Sequence, residues 1–425
     1  MTATLSAPAP STTRKGMLGL GLGNTLEWYD WMIFGLLSAF LGPKFFPSTE
    51  PLSATLNALA VFAVGFAVRP LGGVLLGTVA DRMGRRRVTL LSVGLMALTT
   101  LIIAVTPTYE SIGPWAGVIL VVCRLLQGIS TGIEAPLSTT YAVELNSAGR
   151  EGRAAGYMSF FVNLGILLAS LVSFATSWVV GGDTMQDWGW RIPFLIGAVM
   201  SVVVIYLRRA LPETLHETER AENSSGAVWR GIGRNWLGLL AIVFVVGSVQ
   251  AYNYAWNVGL PNLARSSFGE DPTKVFGLTT ALGVVLLIGS PLTGMLADRA
   301  KLSRTFIVTR VLAVPSVFLM LLYREPGLLG FAAVLLGGSV VLALNMTLYN
   351  VVATSLMPKS SRATGVALGY GVAVALFGGT ASYLMVWLQQ QDITWMFPVY
   401  TAVLSVVSVV LYVAVRRRGG VFIGE

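Results

Sequence analysis

The sequence predicts an all-α integral membrane fold, with twelve transmembrane helices in two six-helix halves related by pseudo-two-fold symmetry. Three observations carry this expectation. The composition is too apolar for water, twelve apolar runs have spanning length, and a segment after the second run recurs after the eighth.

Of 425 residues, 54% are hydrophobic and 12% charged, with a mean hydropathy of +0.72. A soluble domain carries about 25% charged residues, so the solvent for most of this chain must be lipid. The 47 glycines sit largely inside the apolar runs, where small residues let membrane helices approach closely. One cysteine, Cys123, and one histidine, His216, leave no material for disulfides, a multi-His metal site or a His-based triad. No nucleotide loop or nucleophile constellation is present, so the chain does not read as an enzyme.

A helix needs about 20 mainly apolar residues to cross a bilayer. That ruler predicts spans near 17–41, 53–79, 88–106, 114–143, 153–180, 190–209, 235–264, 274–297, 305–322, 327–356, 361–389 and 393–415. The run after Gly16 is too long for a signal-peptide core, so 1–16 reads as a disordered cytoplasmic tail. With the N-terminus inside, 21 of the 29 Lys and Arg fall in inner segments, 5 in outer segments, and Arg69, Arg124 and Arg310 lie within spans. This fits the positive-inside rule with both termini cytoplasmic in a plasma (inner) membrane, and accounts for the net charge of +9 without nucleic acid. The expected organisation is a first bundle over 17–209, a cytoplasmic linker over 210–234, a second bundle over 235–416 and a tail over 417–425. GTVADRMGRRR at 77–87 and GMLADRAKLSR at 294–304 hold matching places after spans two and eight, as duplication of a six-span unit would produce.

Those segments resemble the major facilitator superfamily, whose loop between spans two and three is matched by Gly77, Asp81, Arg82, Gly84, Arg85 and Arg86. GNTLEWYDW at 23–31, RPLGG at 69–73, RLLQG at 124–128 and DWGWRIPF at 187–194 resemble its metabolite:proton symporter branch. That branch includes permeases for α-ketoglutarate, citrate, shikimate and proline/betaine. ALFGGTASY at 375–383 is similar to the α-ketoglutarate permeases among them. Two features depart from the branch: Gly132-Ile133-Glu134 stands in place of Gly-Gly-Glu, and the loop after span eight lacks the Gly-Arg-Arg ending. The resemblance implies alternating access driven by the proton gradient, with no cofactor and no metal. The expected partners are a small-molecule solute, protons and the lipid bilayer, and the chain is expected to act as a monomer.

A charge inside a span costs about 2.5–3.5 kcal/mol on insertion scales, so each one needs a reason. Span one carries Glu27 and Asp30, and span two carries Arg69. Span four carries Arg124, Gln127, Thr131, Glu134 and Ser138, whose spacing draws one polar stripe along a helix. The functional reading is that Arg69 and Arg124 attract an anionic group while Asp30, Glu27 or Glu134 carries the proton. Burial raises a carboxyl's proton affinity and a nearby arginine lowers it again, so a solute that engages the arginine couples to protonation. The competing reading is an internal ion pair, such as Arg124 with Glu134, that only neutralises buried charge. Gln127, Asn163, Gln250, Tyr254, Asn257 and Tyr349 are further candidate solute ligands, weighed equally against a role as interhelical glue at about 0.6 kcal/mol each. Trp28, Trp31 and Trp256 read as cavity packing, and Trp188, Trp190 and Trp395 as interface anchors.

By the resemblance, Asp81 belongs to a charge latch at the inner end of span two. An acid there can also sit on the positive N-terminus of a neighbouring helix, and Asp298 with Arg299 holds the matching place in the second half. Gly65, Gly72, Gly73 and Gly77 predict close packing of span two. The solute reads as a small carboxylate metabolite, with an α-ketoglutarate-like dicarboxylate favoured. The alternatives are a zwitterionic osmolyte, an aromatic acid such as shikimate, or a proton-antiporting exporter. A transport-dead sensor would be expected to carry an added soluble domain.

Overall fold

In the computed structural model the described residues are 10–73, 75, 85–132, 151–209, 225–358 and 361–421; those in helices 10–20 are described by backbone alone. Among the described residues twelve helical rods overlap the twelve predicted spans. In the first half they are Pro10–Leu36 continued by Ser38–Phe45, Pro51–Ala67, Arg85–Val105, Trp115–Thr131, Glu151–Val180 and Arg191–Arg209. In the second half they are Trp236–Tyr254 continued to Ser266, Pro272–Arg299, Leu302–Phe318, Leu328–Gly337 with Ser339–Ser355, Arg362–Ala373 continued by Gly379–Gln390, and Met396–Arg417. Among the described residues, eight helices are long and apolar enough to cross a membrane, and the pair Gly182–Gly189 and Arg191–Tyr206 makes a ninth, bent by 59°. Ser225–Arg234, within the expected linker, is a separate short helix.

Local sequence sets the helix ends. Span eight starts where Asp271 accepts from the Lys274 amide at 3.0 Å with Pro272 in the first turn, satisfying a donor that the helix cannot. Span two breaks at Val68 ahead of Arg69 and Pro70, because proline lacks the amide that would continue the ladder. Span seven widens into a π-turn over Ala255–Gly259 just before Pro261 for the same reason, and span eleven has another over Val374–Gly378. Pro291 and Pro315 lie within helices.

Glycine makes two seams possible. A Cβ on Gly128 or Gly72 would collide with the backbone of the facing helix, so spans two and four touch backbone to backbone. Gly73 meets the Gly132 carbonyl in the same seam; Gly77 lies outside the described residues. Spans five and eight pair along their length across the two halves. Gly152 meets Gly294 at one end, Asn163 donates to Ser290 Oγ at 2.7 Å in the middle, and Ser177 and Thr273 hydroxyls are 2.9 Å apart at the other.

At that other end the halves are also joined between spans one and seven. Span one breaks at Leu37, and the Asn262 carboxamide is spliced into its ladder. Asn262 Nδ2 donates to the Gly35 carbonyl at 2.7 Å, and its Oδ1 accepts from the Ala39 amide at 2.8 Å. A side chain inserted into the i→i−4 ladder is an ordinary cause of a helix break. Thr55 and Ser266 hydroxyls lie 2.8 Å apart nearby, and Gln390 Nε2 donates to Ser53 Oγ at 3.0 Å.

The aromatic anchors divide. Trp188 and Trp395 are about half exposed, as lipid-interface residues are. Trp190 is fully buried against Phe45 and Phe194, so the anchor expected there is core packing, because the bend after Gly189 turns its ring inward.

Candidate functional site

Four of the buried charges come together between spans one, two and four. On span one, Glu27, Asp30, Trp31 and Phe34 follow steps of three, one and three, which put them on one stripe. Span two brings Arg69 to that stripe and span four brings Arg124. Arg69 Nη2 lies 3.2 Å from Glu27 Oε1, and Arg124 Nη1 lies 3.9 Å from Asp30 Oδ2. All four side chains are no more than 5% exposed. Their formal charges cancel.

The two pairs differ in quality. Arg69 is in ion-pair contact. Arg124 stands off from Asp30, and none of its Nε, Nη1 and Nη2 atoms makes a hydrogen bond to another described residue. Its guanidinium instead rests 3.8 Å from the Phe34 ring centre and 5.4 Å from that of Trp31. Asp30 accepts a hydrogen bond from the Thr100 hydroxyl of span three, which in turn accepts from Gln127 Nε2 at 3.0 Å. Arg69 also lies over Trp31, at 4.2 Å, and Phe66, at 4.7 Å. Cation–π contact of this kind stabilises a guanidinium by about 2 kcal/mol when desolvated.

The second half faces this cluster with neutral groups. Tyr254 stacks on Trp28 at 6.0 Å and meets Phe62 and Phe66 edge-on. A chain of hydrogen bonds runs along span seven. Asn257 Nδ2 donates to Asn253 Oδ1 at 3.0 Å, Asn253 Nδ2 to Gln250 Oε1 at 3.3 Å, and Gln250 Nε2 to the hydroxyls of Tyr349 at 3.3 Å and Tyr370 at 3.4 Å. Phe66, which lies under Arg69 at 4.7 Å, is 5.1 Å from Tyr254, so the two groups adjoin. Gly379 admits Phe66 and Gly378 admits Tyr254, since a Cβ at either would press on those rings.

Among the expected ligands the structure thus brings together Glu27, Asp30, Arg69, Arg124 and Gln127 on one side and Gln250, Tyr254, Asn257 and Tyr349 on the other. Asn163 lies apart, in the seam with Ser290. Glu134, Gly77, Asp81, Arg82 and Gly84 lie outside the described residues, and Arg85 and Arg86 are described only as helical backbone. Asp298 accepts from the Gly152 amide at 2.7 Å and the Arg153 amide at 3.2 Å at the start of span five, with Arg153 Nε at 3.3 Å. This is the helix-terminus contact that the sequence allows for an acid at the end of span two, found here in its second-half counterpart. Arg299 beside it is exposed.

Sequence reasoning passed over Thr100, Tyr370 and the placing of Trp31 near two arginines. Hydroxyls are common in apolar spans, and nothing in their spacing singles these out. Arg310, the third arginine within a span, is held by Ser248 Oγ at 2.6 Å and the Val245 carbonyl at 2.7 Å inside the second half. Among the described residues no group of His, Cys, Asp and Glu is arranged to hold a metal. Two clefts of about 250 and 470 Å³ lie elsewhere, beside Glu325 and beside Phe46 and Val122.

A polytopic helical bundle with paired charges buried between its halves is the architecture of a secondary transporter. The sequence matches the family model described as Major Facilitator Superfamily over residues 20–382, and the chain belongs to that superfamily of transporters. It is 31% identical over 418 residues to the alpha-ketoglutarate permease of Escherichia coli K12, covering 96% of each chain. It is 29% identical to the citrate-proton symporter of Klebsiella pneumoniae, covering 89% of this chain and 87% of the relative. The ectoine/proline transporter of Corynebacterium glutamicum is 31% identical over 90% of this chain and 79% of its own. A crystal structure of a D-xylose-proton symporter superposes with a TM-score of 0.74 at 18% identity, covering 93% of this chain and 97% of that one, which supports the fold.

Proposed function

We propose that the chain is a proton-coupled symporter of a small carboxylate metabolite, with an α-ketoglutarate-like dicarboxylate as the favoured solute, working by alternating access. The observation that carries this reading is Arg124, a fully buried guanidinium whose three nitrogens have no hydrogen bond among the described residues and whose carboxylate neighbour stands off at 3.9 Å. A buried donor left unmade costs about 1–3 kcal/mol, more when charged; an incoming carboxylate satisfies it. Asp30, released from partial pairing when the solute takes Arg124, is the proton carrier, and Glu27 with Arg69 is the second pair in the same site. Glu134 shares the coupling role in this reading. Gln127, Gln250, Tyr254, Asn257 and Tyr349 supply hydrogen bonds to the rest of the solute. Gly77, Asp81, Arg82, Gly84, Arg85 and Arg86, with Asp298 and Arg299, form the gating segments, and the Asp298 contacts to span five support that role. The protein lies in the plasma membrane with both termini cytoplasmic. The chain works as a monomer.

A second reading, a zwitterionic osmolyte such as proline or betaine, is favoured by the equal number of acids and bases in the cluster and by the names of several relatives. Uptake into proteoliposomes separates the two. The panel is α-ketoglutarate, citrate, shikimate, benzoate, proline and betaine, with and without an inward proton gradient. Gradient-stimulated uptake of an acid supports the first reading and of betaine the second; uptake of none from folded protein refutes both.

A further inference from the structure

Trp31 lies within cation–π distance of both arginines. Its ring centre is 4.2 Å from the Arg69 guanidinium carbon and 5.4 Å from that of Arg124. Phe66 lies against it at 4.1 Å, Phe62 meets it edge-on at 5.9 Å, and Gly65 leaves just enough room for its far edge. The indole is therefore held in one orientation. It is 1% exposed, and its Nε1 has no hydrogen-bond partner among the described residues. Arg69 Nε and the three Arg124 nitrogens share that condition, so unmade donors from three side chains collect around one ring.

Packing alone does not account for an indole here. A phenylalanine would also offer a π-face to both guanidinium groups, with no orphaned N–H. The face has its own use, because two like charges in a low-dielectric site repel, and an aromatic ring near both offers each its negative face. The N–H is the extra group, and a buried donor without an acceptor is costly.

We infer that Trp31 is a solute-contacting residue, its indole N–H donating to the same carboxylate that engages Arg124. This rests on the carboxylate reading above. It makes the anion subsite a three-residue donor set in which the ring also attracts both arginines, and it favours a solute whose acceptor is charged and planar.

The test measures binding and uptake of labelled α-ketoglutarate by the full chain in three forms: wild type, Trp31→Phe, and the chain with 3-benzothienylalanine at position 31. The last keeps the shape and π-face of the indole but replaces N–H with sulfur. Loss of a hydrogen bond to a charged group predicts about tenfold weaker binding and a KM raised to match in both variants, with maximal rate within about twofold and melting of the isosteric variant unchanged. A packing role predicts instead that the benzothienyl form binds as wild type does, and that outcome overturns the inference while leaving the carboxylate reading intact. Wild-type protein that neither binds nor takes up any carboxylate of the panel overturns both.

Discussion

Spans one, two and four carry Glu27, Asp30, Arg69 and Arg124 into one buried cluster. Spans seven, ten and eleven answer with Gln250, Asn253, Asn257, Tyr254, Tyr349 and Tyr370, none of them charged at neutral pH. The first half has poorly satisfied groups, with the Arg124 nitrogens, Asp30 Oδ2 and Gln127 Oε1 all lacking hydrogen bonds among the described residues. The second half has a continuous chain of donated hydrogen bonds through amides and phenols, with Asn257 Oδ1 at its end lacking a partner among the described residues. The two halves thus differ in kind: the first brings buried charge to the interior and the second faces it with neutral groups. Charge is expensive in a membrane interior and a neutral hydrogen bond is worth little there. Substitutions in the two halves should therefore differ in size and in kind.

The largest effect is expected from Arg124→Ala, which removes the least satisfied group and strands Asp30. Uptake should fall by at least about 100-fold, since losing one partner of a buried pair costs about 3–5 kcal/mol. Wild-type uptake by a folded Arg124→Ala protein would sink the assignment. Next is Asp30→Asn, which keeps the shape and the Thr100 partner but cannot carry a proton. Stimulation by an imposed gradient should vanish while solute counterflow persists; stimulation that survives would move the carrier to Glu27 or elsewhere. Gln250→Leu cuts the chain in the second half. About 1 kcal/mol of lost hydrogen bonding should raise KM about fivefold and leave the gradient response alone, and a lost response would mean that the halves do not differ in kind as described. The smallest effect is expected at Asn163, in the seam rather than the site. Asn163→Ala should lower melting by no more than about 2 °C and keep uptake within about twofold, as suits an interhelical bond worth about 0.6 kcal/mol.

The twelve rods were legible in the sequence because lipid demands length and apolarity, and both are written residue by residue. The stripe of Arg124, Gln127 and Thr131 was legible too, since helical spacing places it and all three are buried. Which acid meets which base was not. Arg124 faces Asp30 on span one, a meeting that depends on how spans one, two and four pack through their glycines. Asn163 looked the same as Gln250 in sequence, both amides in apolar helices; only the crossing of spans five and eight makes one a seam contact. Trp190 was misread because its neighbours suggested an interface, while the bend after Gly189 turned it inward.

The Asn262 splice in span one has a consequence for how the halves can part. Its carboxamide occupies the place of the bond between the Ala39 amide and the Gly35 carbonyl, two groups that are donor and acceptor four residues apart. If span seven withdraws, those groups can close on each other and the helix heals. The backbone keeps its tally of bonds in either arrangement, and Asn262 Nδ2 keeps its bond to the Val258 carbonyl of its own helix at 2.8 Å, so only its Oδ1 has to find another donor. An interface stitched in this manner trades one bond for another as it opens, so strong contact in the joined state is compatible with easy release.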